Sequence, residues 1–177
     1  MKTQKEKMIR MSRILGTVLK VCAIVLIVSL VIILLFAILA PSFNVELNHE
    51  QIVFLDTNMS FNDLDGVRVW MFEIVLAGAV IAATLLVAGS IFKAIAREGT
   101  PFTKRNSDKI RVIALLLIAI ETLIPALQLL VAIIFFPNIN ATATFSLGNL
   151  IVAAVFFCLA LIFDYGRQLQ QESDETL

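Results

Sequence analysis

Four stretches of this chain are long and apolar enough to cross a bilayer, and no other feature narrows its fold as far. The stretch 21–40 has Ser29 as its only hydroxyl side chain, and 74–92 and 145–163 contain no charge at all. The stretch 112–136 carries one acid, Glu121, and one proline, Pro125. A hydrocarbon core about 30 Å thick is crossed by roughly 20 helical residues, so each stretch suffices. Unbroken apolar runs without alternation exclude an outer-membrane barrel, and helices satisfy their own backbone groups in lipid. The first run exceeds a signal-peptide core, Ile38 and Pro41 make a poor cleavage site around Ala40, and three more runs follow, so it reads as a span. The expected fold is all-α: an integral membrane bundle of four transmembrane helices over about 14–40, 70–96, 110–136 and 145–165.

Composition agrees, with 59% apolar and 16% charged residues among 177 and a mean hydropathy of +0.93. Soluble domains are less apolar. The formal net charge is zero, but the charges are sorted along the chain. Lys2, Lys5, Lys7, Arg10, Arg13 and Lys20 precede or open the first run, and Lys93, Arg97, Lys104, Arg105, Lys109 and Arg111 separate the second from the third. The segment before Arg68 carries instead Glu46, Glu50, Asp56, Asp63 and Asp65. Basic loops stay inside, so both termini, a loop at 97–109 and a tail at 166–177 are expected in the cytoplasm, with 41–69 as the outer loop. Arg68, Trp70 and Tyr165 fall where interfacial anchors belong.

The outer loop shows little chemistry. Phe43, Val45 and Leu47 alternate with polar residues, and with the run 52–55 they suggest a small hairpin, followed by a turn at Asp65-Gly66 into the second helix. Asp63 and Asp65 lack the further acids of a calcium loop, and His49-Glu50 lacks the second histidine of a zinc protease. The triplets beginning at Asn58 and Asn140 have the glycosylation pattern that polar loops produce by chance. Cys22 and Cys158 lie within the first and fourth runs, where packing is the expected role. With no phosphate loop, no nucleophile–histidine set and no metal cluster in the sequence, neither enzymatic activity nor a metal or cofactor is expected. The basic segments flank spans, which suits anionic lipid headgroups better than direct contact with nucleic acid.

Within the bilayer two patterns stand out. Gly78, Ala82 and Gly89 share an arc of the second helix where another backbone can approach, either within the chain or across a homo-oligomer seam. Glu121, Pro125 and Gln128 share a face of the third, where Pro125 lacks the amide hydrogen that would bond the Glu121 carbonyl. That stripe suits a proton, cation or ligand site, or equally a structural glutamate bonded to a neighbouring helix.

The segment Arg97-Glu98-Gly99-Thr100-Pro101-Phe102-Thr103-Lys104-Arg105-Asn106 and the closing Asp164-Tyr165-Gly166-Arg167-Gln168-Leu169-Gln170-Gln171-Glu172-Ser173-Asp174-Glu175-Thr176-Leu177 carry a resemblance. Together they resemble the two signatures of a bacterial four-span membrane family catalogued as domain of unknown function 2975. The likeness covers the whole chain in layout and is specific in these two segments. It implies a bacterial inner-membrane location and, as a partner, a small Cro/C1-type helix-turn-helix regulator; it brings no catalytic residues. Local physics reads the loop as a tight turn: Gly99 ends a helix in a left-handed conformation, Pro101 blocks continuation, and Thr103 or Ser107 caps the next helix. Phe102 then either enters the membrane interface or packs under the fourth helix. The tail is acidic and the loop basic, so they can pair with each other or meet a partner.

The candidate interaction residues are therefore Gly99, Pro101, Phe102, Arg105, Asn106, Gly166, Leu169, Gln170 and Asp174. The expected function is a non-enzymatic membrane partner or sensor for a cytoplasmic regulator. The rivals are a small transporter or channel using Glu121, and a membrane immunity or stress protein.

Overall fold

A computed structural model describes residues 2–39, 64–135 and 147–175. They form four helices: α1 (Lys2–Leu39), α2 (Leu64–Glu98), α3 (Lys104–Phe135) and α4 (Leu147–Glu175). All four are long and apolar enough to cross a membrane, which makes this a multi-pass membrane protein. The hairpin, His49-Glu50, Asp63 and both glycosylation triplets lie outside the described residues.

The helices run past the apolar segments that predicted them. At 29 to 38 residues they measure roughly 44–57 Å, well beyond a hydrocarbon core of about 30 Å. Residues 2–13 join α1 because lysine, glutamine, glutamate, methionine and arginine are good helix formers and no breaker intervenes. The expected tail likewise continues α4 as far as Glu175. Asp65-Gly66 is not a turn but the start of α2. α3 continues through Pro125.

α1 packs on α2, α2 on α3 and α3 on α4; among the described residues α1 and α4 do not pack directly together. Where the apolar runs give way to charge, all four helices contribute to one cluster. Ile91 and Ile95 of α2, Ile110 and Ile113 of α3 and Ala160 of α4 are buried there, with Met8 of α1 against them. This end of the bundle, called the basic end below, joins the start of α1, the end of α2, the start of α3 and the end of α4.

Inside a bilayer lipid tails are as apolar as leucine, so helix association depends on close packing. The α1–α2 seam shows how: a Cβ on Gly16 would sit 3.1 Å from the Gly89 carbonyl oxygen, and one on Gly89 3.3 Å from that of Gly16. Further along, a Cβ on Gly78 would strike Leu30 Cδ2 at 2.5 Å, and Ala82 is buried. The small-residue arc of α2 is thus filled by α1 of the same chain. Cys22 and Cys158 correct an expectation, because both are exposed on the outside of the helices rather than packed. Lipid covers an outward face as well as a core would, so a small apolar residue carries no inward bias there.

Candidate functional site

At the basic end the short connection between α2 and α3 is fixed by its own backbone. Gly99 has φ of 70°, and its N–H donates to the Ile95 carbonyl at 2.9 Å, closing α2 with a left-handed cap. Pro101 follows, and its carbonyl accepts both the Thr103 N–H at 3.1 Å and Asn106 Nδ2 at 3.0 Å. Thr103 caps α3: its carbonyl accepts the Asn106 and Ser107 N–H groups, and its Oγ1 accepts the Asn106 N–H at 3.3 Å. Of the two candidate caps, Thr103 serves, and Ser107 is released for another task. Asn106 is fully buried, and its side chain helps to close the turn through the bond to Pro101.

This turn is pressed onto α4. The Phe102 ring lies on Gly166, where a Cβ would come within 2.6 Å of Phe102 Cδ1, and meets Phe163 edge-on with centroids 5.5 Å apart. Phe102 therefore packs under the fourth helix. Thr100 Oγ1 donates to Gln170 Oε1 at 2.9 Å, and Ser107 Oγ donates to the Ala160 carbonyl at 2.9 Å. Arg111 pairs with Asp164 across the seam and with Asp108 at 3.1 Å on its own helix. On the far side Lys5 of α1 reaches the turn, with Cε 3.0 Å from where a Gly99 Cβ would be.

The result is one platform made of the turn, the last turns of α4 and the start of α1. It joins Gly99, Pro101, Phe102, Asn106, Gly166 and Gln170 of the candidate residues. Arg105 and Leu169 are exposed beside them, and the side chain of Asp174 lies outside the described residues. Arg111, Asp164 and Ser107 also hold the platform together. Sequence gave no sign that they meet, because the register between antiparallel α3 and α4 is invisible until both are folded.

About 15 Å from Arg111, ten residues along α3, Glu121 is 7% exposed. Asn149 of α4 donates its Nδ2 to Glu121 Oε1. Asn149 is the polar amide near the start of the fourth apolar run, and the register of α3 against α4 is what brings it to Glu121. Pro125 lies one turn further along, and the side chain of Gln128 is outside the described residues. The stripe thus contributes a helix-to-helix hydrogen bond between α3 and α4.

Comparison with curated proteins and with solved structures found no match. A family model described as "Protein of unknown function (DUF2975)" matches residues 52–177, which include both segments of the platform. The chain belongs to that family.

Proposed function

We propose that this is a non-enzymatic protein of the bacterial inner membrane, with both termini in the cytoplasm, whose platform receives a small cytoplasmic Cro/C1-type helix-turn-helix regulator. One observation carries the reading: the two segments that give the family resemblance pack on each other as a single surface. The cytoplasmic orientation draws support from the gathering of lysines and arginines at that end, as the positive-inside rule requires. The platform leaves apolar side chains exposed beside charge, with Phe102 at 37% and Leu169 at 48%. Such a mixture suits an interface more than a solvated tail.

The test is binding between the protein in lipid nanodiscs and a purified Cro/C1-type helix-turn-helix regulator from the same organism. Leu169→Asp with Arg105→Glu changes the exposed surface without touching the buried turn, and should weaken binding by about tenfold or more. No binding by the natural protein, or equal binding by the variant, overturns the proposal. The transport reading rests on Glu121, and the bond from Asn149 supports a structural strut there instead.

A further inference from the structure

α1 and α2 leave an open groove along one side of their seam. Its walls include Ile27, Val31 and Leu34 of α1 and Ala79, Ala83 and Leu86 of α2, enclosing about 370 Å³ with apolar walls. At Leu86 it meets a second hollow of about 200 Å³, lined by Lys20, Gly89, Ser90 and Lys93. Leu86 lines both, so the two hollows adjoin at that side chain, an apolar length next to a cationic head.

The placement of the two lysines is specific. Lys20 is the last charge before the apolar run of α1, and Lys93 the first after that of α2. They flank the Gly16–Gly89 crossing, where a Cβ on Gly16 would lie 3.2 Å from Lys93 Cγ. Among the described residues neither lysine has an ion-pair or hydrogen-bond partner. The Ser90 hydroxyl is already bonded to the Val87 carbonyl, so the positive charge of this hollow comes from the lysines. Two cations that line one hollow without a counter-charge repel each other, and an anion in the hollow relieves that repulsion. From Lys20 to Leu34 is about 21 Å along the helix, and half of a hydrocarbon core is about 15 Å. The apolar part can therefore take an acyl chain through the whole of one leaflet.

We propose that this groove is a binding site for one anionic phospholipid. Its phosphate sits between Lys20 and Lys93, and one acyl chain lies against Ile27, Val31, Ala79 and Ala83. Snorkelling to the interface would account for each lysine singly; it would not place both at the mouth of one apolar groove.

Native mass spectrometry of the full chain in detergent, titrated with phosphatidylglycerol or phosphatidylcholine, tests the site. The expected result is one tightly retained phosphatidylglycerol per chain, no such retention of phosphatidylcholine, and no displacement by inorganic phosphate. Lys20→Gln with Lys93→Gln should weaken retention roughly 30-fold, from the usual contribution of two lysines near an anionic headgroup. Lys104→Gln, at the same end of the bundle but away from the groove, should change it little. Ala83→Phe, which keeps both charges and fills the apolar part, should also weaken retention. Equal retention of both lipids, equal retention by the double lysine variant, or displacement by inorganic phosphate overturns the proposal. Retention unchanged by Ala83→Phe would contradict the acyl-chain part.

Discussion

The ring of Phe102 lies so close to Gly166 that no side chain fits between them: a Cβ on Gly166 would be 2.6 Å from Phe102 Cδ1 and 2.7 Å from Cε1. Residues more than sixty positions apart are joined here only because Gly166 has no side chain. Gly166→Leu should displace the ring and lower stability by about 1–3 kcal/mol, less a gain of about 1 kcal/mol in helix propensity. Phe102→Ala removes the obstacle, so the double variant should be more stable than the sum of the single effects implies. Thermal unfolding in detergent gives the four values, and strict additivity would show that the two residues are not in contact.

Gly99 makes a backbone prediction. With φ at 70° and Lys5 Cε 3.0 Å from a prospective Cβ, Gly99→Ala should cost about 1–2 kcal/mol, and Gly99→Asn less, because asparagine tolerates the left-handed region. The same unfolding measurement ranks them. Equal stability of the alanine variant and the natural protein would contradict the cap.

For Glu121 the strut reading distinguishes two substitutions. Glu121→Gln keeps a hydrogen-bond acceptor for Asn149 and should leave abundance and thermal stability in place. Glu121→Leu strands Asn149 and should cost about 1 kcal/mol, recovered in part by adding Asn149→Leu. A Glu121→Gln variant that accumulates normally yet loses a biological activity would restore a proton or cation role.

The spans were legible because bilayer thickness sets how long an apolar run must be, and the 21–40 and 74–92 runs meet that length without ambiguity. The turn was legible too, because the left-handed region admits glycine and proline blocks a helix, which makes Gly99 and Pro101 local signals. Hydropathy reports contact with lipid rather than helix rotation, which is why Cys22 and Cys158 proved to face outward. It also follows the membrane rather than the helix, so residues 2–13 and 166–175 were not expected to extend α1 and α4. Pairings such as Arg111 with Asp164 and Glu121 with Asn149 depend on the register of two antiparallel helices, and single positions do not encode it.

Crosslinking across the platform in intact membranes is the most direct measurement. In a background with Cys22→Ser and Cys158→Ser, Thr100→Cys and Gln170→Cys replace two side chains that now share a 2.9 Å hydrogen bond. A short thiol-reactive crosslinker should join them within one chain, at yields independent of protein concentration. An impermeant thiol reagent outside intact cells should leave both unmodified while labelling a cysteine introduced at Asn62. Arg105→Cys, exposed where Asn106 is buried, extends the same comparison and should also stay unlabelled. Absence of the intrachain product, with the protein inserted and both cysteines reactive in opened membranes, would contradict the platform. Labelling of either cysteine from outside would contradict the proposed cytoplasmic orientation of the platform.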